Sequence, residues 1–334
     1  MAYITLNKKH FFNNLDIIAD KTKSKDKIAL VLKDNAYGHG LLEVATMAKE
    51  YGIKKAVVRC EVEAVMVKDF FEYILVLNDF PTKPHANINY TVNDIKSIER
   101  FPHATKVELK VDTGMHRNGV AMDEVEMALE KIKTHGLILE AVFTHHRSAD
   151  ELSSEWFWQN EEFKKVKQRV LACGFGDVKF HSANSASLFR HVDFVENMAR
   201  VGIAAYGCME LPHAIEVKGL KPVLSVYASK VSSRGLKEGW HVGYGATYKA
   251  KQDCIVSNYD FGYGDGFLRS CSNNYQNPHA KKLVGRISMD NSSFLADDEE
   301  LLIFDDARVV AKSAKTISYE VLTSLKPYIQ RKII

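Results

Sequence analysis

The chain runs to 334 residues, 46% hydrophobic and 26% charged, with a formal net charge of +3. That length suits one large barrel plus a smaller domain, and the mild charge without any local Lys/Arg cluster argues against a nucleic-acid partner. The five cysteines (Cys60, Cys173, Cys208, Cys254, Cys271) form no C-x-x-C pair, which favours reduced thiols in a cytoplasm over a disulfide frame or a zinc site. Neither the first residues nor any later run has the apolar length of a signal peptide or membrane span.

Tyr3 to Leu6 alternates like a short strand, and His10 to Lys21 has the pattern of a helix. Strand-like and helix-like runs then alternate. Strands are expected at Ile28–Leu32, Ala56–Arg59, Tyr73–Leu77, Asn87–Thr91, Lys106–Asp112, Leu139–His145, Val178–Ser182 and Asn197–Ile203, with helices such as Asp123–Thr134 and Trp156–Ala172 between them. This alternation fits a (β/α)8 barrel better than an open sheet. After Gly207 the texture turns to Val, Tyr, Ser and Gly with short turns. A mainly β domain follows, with strands in Pro222–Lys230, His241–Ala250, Asp253–Tyr259 and Lys282–Phe294 and one closing helix near Ser318–Lys326. The expected division is a barrel over 8–217 and the β domain over 218–334, packed firmly because no flexible linker joins them.

The first barrel strand is apolar and branched, as in a parallel sheet buried on both faces, and Lys33 follows at its carboxyl end. Barrels form their pockets there, and a lysine so placed suits an imine with an aldehyde cofactor whose phosphate Tyr37 reaches. Position alone favours a snorkelling amine. The fifth strand leads into Asp112-Thr113-Gly114-Met115-His116-Arg117, where Arg117 offers a planar fork for a carboxylate or is a surface arginine on a turn. The loops after strands seven and eight, with Ser185 and the Gly202 and Ile203 amides, stand where barrels bind phosphate, or are turn chemistry alone.

The run Val31-Leu32-Lys33-Asp34-Asn35-Ala36-Tyr37-Gly38-His39-Gly40 resembles the pyridoxal phosphate lysine motif of the alanine racemase family, with Asp34 replacing the usual alanine. The resemblance extends through Lys110 to Gly119, Thr144 to Glu151, His181 to Ser185, Met198 to Gly207, Val242 to Tyr248, Gly262 to Gly266, Gly285 to Asp290 and Thr316 to Val321. It implies pyridoxal 5'-phosphate as cofactor and interconversion of L- and D-alanine, which supplies D-alanine for peptidoglycan. Lys33 and Tyr244 are then the two bases, one for each face of a planar carbanion. Taken alone, Tyr244 is a β-strand tyrosine.

The same resemblance sets His145 against the cofactor ring, His181 nearby, Arg200 at the pyridine nitrogen, and Tyr37, Ser185, Gly202, Ile203 and Tyr319 around the phosphate. An arginine only donates, so the ring stays neutral and is a weaker electron sink, which favours racemisation over decarboxylation. Arg117, Met289 and Asp290 are expected at the substrate carboxylate and Tyr263 at the entrance. Lys110 matches a lysine that is carbamylated in some members and orients the arginine. His146 and Arg147 replace a more apolar pair. The family places its tyrosine base across a head-to-tail homodimer and adds residues 1–7 to the second domain as a strand. It also continues past the last helix with an arginine-bearing strand, which this chain, ending at Ile334, is expected to lack. Other readings are a racemase of serine or other amino acids, a decarboxylase of the same fold, and a cofactor carrier without turnover.

Overall fold

In the computed structural model, which describes residues 1–334, eight short parallel strands follow one another round a nearly closed barrel. They are Ile28–Val31, Lys55–Val58, Tyr73–Val76, Ile88–Val92, Lys106–Lys110, Ile138–Phe143, Lys179–His181 and Ala199–Val201, and the last pairs back with the first. Most of their residues are buried whichever face they occupy, which explains their continuous rather than alternating apolar runs. The seam between the seventh and eighth strands closes through a single bridge, Asn184 with Arg200, helped by Arg200 N donating to Ala183 O at 2.9 Å. Helices Lys8–Thr22, Leu41–Tyr51, Val125–Thr134 and Glu155–Ala172 are among those that pack outside. All eight expected barrel strands are present, their ends shifted by a few residues at most.

The second unit is built on a long strand, Leu224–Leu236, which pairs antiparallel with Cys254–Tyr259, Glu300–Phe304 and the N-terminal Tyr3–Leu6. Several expectations for this unit are corrected. Lys282–Phe294 contributes only Ser292–Phe294 to the ladder, and Glu300–Phe304 is an additional strand. Two helices, Ala307–Ala314 and Ser318–Ser324, stand where one was expected. Tyr244 lies not in a strand but in a 3-10 turn, Tyr244–Ala246, because the flanking Gly243 and Gly245 take φ near +69° and break the ladder.

The expected absence of an arginine-bearing strand after the last helix is overturned. Gln330–Ile333 runs parallel to Tyr3–Leu6, and Arg331 donates to Gly38 O from Nε at 3.1 Å and Nη2 at 2.8 Å. An edge strand is held by backbone pairing and needs no apolar stripe, so its polar sequence hides it. One apolar cluster of 82 buried residues runs from the barrel into the second sheet, so the two units share a core. No helix is long and apolar enough to cross a membrane.

Candidate active site

The carboxyl ends of the barrel strands open into a cavity of about 630 Å³. Lys33, Tyr37, Lys110, Arg117, His145 and Arg200 line it, with Ser185, Gly202, Ile203 and, from the second unit, Tyr319. Most of the residues singled out in the barrel therefore share one chamber.

Lys33 sits at the mouth of the first strand with the ring of Tyr37 5.9 Å from its Nζ. The chain beyond it does something the sequence does not announce: Asp34, Asn35, Ala36 and Tyr37 all take φ between 51° and 56°. A left-handed turn costs non-glycine residues roughly 1–2 kcal/mol each, so something must hold it. Glu63 Oε1 accepts from Asp34 N at 2.8 Å while its Oε2 accepts from Arg59 N at 2.8 Å. Asn35 Oδ1 accepts from Leu41 N at 2.9 Å, and Arg59 pairs with Asp34 at 3.0 Å. Asp34 thus faces the neighbouring strand's end rather than standing free. The turn carries the Tyr37 ring back between Tyr206 and Tyr319, with centroids 5.4 and 5.7 Å away.

Beside that ring, at the end of the adjoining eighth strand, Ser185 Oγ accepts from Gly202 N at 3.1 Å. A Cβ at Gly202 would lie 3.0 Å from the Tyr37 hydroxyl, so a side chain there would crowd the phenol and push it from the strand end. The Ile203 amide has no partner within the chain. Hydroxyls of Tyr37, Ser185 and Tyr319 and a free amide form a cradle of neutral donors suited to a phosphate dianion. With Lys33 on the first strand and Arg200 on the eighth, the donors present fit pyridoxal phosphate.

Arg200 is buried, and burial lowers its pKa to about 10. Its Nη1 donates to His181 Nδ1, its Nη2 donates to Thr144 O at 2.7 Å and Ser182 O at 3.1 Å, and Nε has no partner in the chain. His145 lies beside it, Nδ1 3.4 Å from Nη2, and burial with the Arg200 charge holds its imidazole neutral. His181 does not line the cavity; it is fully buried behind Arg200, stacked on Phe143 at 4.8 Å. Beyond it stands Glu108, which sequence reasoning missed. Its signal is a lone carboxylate within the apolar strand Val107-Glu108-Leu109.

The loop after the fifth strand is drawn round Asp112, whose Oδ1 accepts from the amides of Gly114 and Met115, both at 2.9 Å. That leaves Arg117 pointing an uncommitted guanidinium at the cavity beside Lys110. Burial, then the charges of Arg117 and Arg200, lower the Lys110 amine to about 8. His146 is buried with both ring nitrogens unpartnered, and desolvation lowers it to about 4. Arg147 donates to Gly114 O at 2.6 Å and pairs with Glu155, tying the fifth- and sixth-strand loops together.

Four expected site residues lie elsewhere. Tyr244, Tyr263, Met289 and Asp290 are exposed on the second unit and line no part of this cavity. They are near one another, however: Tyr263 N donates to Ser288 O at 3.0 Å, Gly264 N donates to Met289 O at 2.8 Å, and Arg286 lies against Gly245. These three second-unit motifs thus make a surface cluster of their own, while Tyr319 of the fourth lines the chamber.

Comparison with known proteins places the chain in one family. Residues 6–210 match the family model "Alanine racemase, N-terminal domain", and residues 223–333 match "Alanine racemase, C-terminal domain". The alanine racemase of a Nitratiruptor species is 45% identical over 99% of both chains. That of Campylobacter concisus is 43% identical over 100% of both. Among solved structures, alanine racemase from Clostridium difficile 630 superposes with a TM-score of 0.89 at 25% identity, covering 100% of this chain and 95% of that one.

Proposed function

The chain belongs to the alanine racemase family, and on that premise we propose that it interconverts L- and D-alanine with pyridoxal phosphate held at Lys33. The observation that carries the reading is the chamber itself, with a strand-end lysine, a donor cradle and a buried arginine brought to one cavity. When bound, the cofactor supplies an aldehyde that condenses with amines and a conjugated ring that delocalises the electron pair left on Cα.

The residues do the rest. Tyr37, Ser185, Tyr319 and the Ile203 amide would hold the phosphate, joined by the Gly202 amide once it turns from Ser185 Oγ, and His145 would meet the ring face. Arg200, with two of its three nitrogens committed to protein acceptors, would offer Nε to the pyridine nitrogen and donate without releasing a proton. Arg117 binds the alanine carboxylate. Lys33 Nζ holds or gives a proton on one face of Cα, and the Tyr244 phenol of a second copy does so on the other. Tyr263, Met289 and Asp290 of that copy would close the entrance and meet the carboxylate. The exposure of this cluster on one chain supports a head-to-tail homodimer in which each chamber is finished by the other chain. We divide the chain at 217/218, with residues 1–7 counted with the second unit, and place the enzyme in the cytoplasm, supplying D-alanine for peptidoglycan. Lys110 beside Arg117 is proposed to carry a carbamate that pairs with the guanidinium.

The experiment is chiral chromatography of purified protein incubated with L-alanine, L-serine and longer amino acids, with and without pyridoxal phosphate. Racemisation of L-alanine that requires the cofactor is expected, and Tyr244→Phe should keep the visible absorbance of the bound cofactor yet lose turnover. Carbon dioxide release without a D-amino acid would sink the assignment, and near-normal rates in Tyr244→Phe would remove its second base.

A further inference from the structure

Behind the chamber, on the side away from any ligand, a chain of hydrogen bonds runs into the barrel core. Arg200 Nη1 donates to His181 Nδ1, His181 Nε2 meets Glu108 Oε2 at 2.9 Å, and Tyr73 donates to Glu108 Oε1. Glu108 and His181 have no exposed surface. Arg200 and His181 both lie over Phe143, the guanidinium carbon 4.9 Å and the imidazole 4.8 Å from its ring centre. The unit is therefore fixed laterally, and its hydrogen bonds decide only how the guanidinium turns.

The donor inventory dictates the arrangement. An arginine cannot accept, so His181 Nδ1 must carry a lone pair and the imidazole proton must sit on Nε2. Glu108 Oε2 must then accept. Burial raises Glu108 to about 8, opposed by the Arg200 charge and by Lys179, while Glu140 adds to it. If the carboxyl holds a proton at neutral pH, that proton belongs on Oε1, towards Tyr73, and Oε2 still accepts. The order of donors between Arg200 and Glu108 is the same in both charge states.

Resting on the functional reading above, we infer that Glu108 is a positioning residue: by fixing the His181 tautomer it sets which guanidinium nitrogen Arg200 offers to the cofactor ring. Without that acceptor a proton on Nε2 is buried with no partner, a cost that offsets the bond from Arg200 and shifts the proton towards Nδ1, where it opposes an Arg200 donor. The guanidinium then turns, Nε no longer faces the place of the cofactor ring, and water would have access to the ring nitrogen of bound cofactor. A protonated ring is a stronger electron sink, so more turnovers would end in transamination, in which the amino group passes to the cofactor, water supplies the keto oxygen and pyruvate leaves.

The test uses the full chain, with and without pyridoxal phosphate. Selective 15N-histidine NMR on the cofactor-free protein, with His181→Asn to identify the signal, should show the Nε2–H tautomer at His181. An Nδ1–H tautomer there overturns the proposal without any further variant. Glu108→Leu removes the acceptor at similar volume, and should make the His181 signal lose that tautomer. It should also raise the pyruvate formed per racemisation by about tenfold, the scale on which loss of an orienting partner is felt at a site. Glu108→Gln keeps an acceptor towards His181 and a donor towards Tyr73, and should restore both the tautomer and the partition. A folded Glu108→Leu protein with unchanged tautomer and partition would falsify the role. Should Glu108→Leu not fold, Glu108→Gln decides: losing the tautomer overturns the proposal and keeping it, with the partition, supports it. Failure of the unaltered chain to bind cofactor would end the functional reading and leave the NMR result standing on its own.

Discussion

Lys110 is an amine held partly out of water between two guanidinium groups, and its lowered pKa has a sign that can be followed. In the unfolded chain a lysine titrates near its ordinary value of 10.5, whereas here the amine loses its proton at about 8. Between those values the unfolded state binds more protons, so stability rises with pH across that window and the penalty of the charged amine is complete below it. A neutral amine adds carbon dioxide, forming an N–C bond and releasing one proton to solvent, and the resulting carbamate reverses the charge beside Arg117. Protein kept free of carbon dioxide should therefore gain stability from about pH 8 to 10.5, and protein equilibrated with bicarbonate should keep that rise, be the more stable of the two and gain about 44 Da, the mass of one CO₂. Intact-mass spectrometry that finds only the bare amine at every pH removes the carbamate. Lys110 was legible because it precedes a recognisable loop. Glu108 and Glu63 were not: each acts through what it touches across the barrel, and no local pattern names those partners.

The left-handed turn after Lys33 belongs to the next scale up. Its exit is Gly38, at φ +75°, whose carbonyl accepts from Arg331 and whose missing side chain makes room for Leu322 of the second unit. A Cβ there would come 1.9 Å from Leu322 O, a backbone atom that cannot swing aside. Gly52 is a control, at φ +97° with nothing near the position its Cβ would take. Gly52→Ala should thus lose only the left-handed cost, about 1 kcal/mol, while Gly38→Ala loses that plus the displacement of the helix carrying Leu322, about 3 kcal/mol or more. Thermal melts of the two variants check the difference, and equal losses would mean the contact with Leu322 carries nothing. Barrel strand ends were readable because buried parallel strands advertise themselves as apolar runs bounded by polar loops. Glu300–Phe304 carried such a run as well, Leu301-Leu302-Ile303-Phe304, and it was the surrounding turn residues that disguised it. Gln330–Ile333 and the bent Tyr244 turn had no such signal, since one is an edge held by backbone bonds and the other is set by glycine dihedrals.

At the scale of the whole molecule, Tyr244 lies exposed and outside the chamber of its own chain, so the proposed two-base chemistry needs a second copy. That requirement has a quantitative consequence. Consider Lys33→Ala and Tyr244→Phe, each inactive by itself because every chamber in either homodimer lacks one base. In a mixed dimer, the chamber built on the Lys33→Ala chain receives phenylalanine from its neighbour and is doubly defective. The other chamber has an intact Lys33 from the Tyr244→Phe chain and an intact Tyr244 from the Lys33→Ala chain. Random pairing makes half the dimers mixed, and half the chambers in those are whole, so co-expression should restore about a quarter of the unaltered activity. Measuring L-alanine racemisation against the fraction of mixed dimer, with the two chains carrying different affinity tags, separates this from contamination. If both bases came from one chain, no mixture would regain activity, because each chamber would keep the defect of its own chain. A yield that tracks the mixed-dimer fraction therefore reports directly on whether the phenol crosses from one copy to the other.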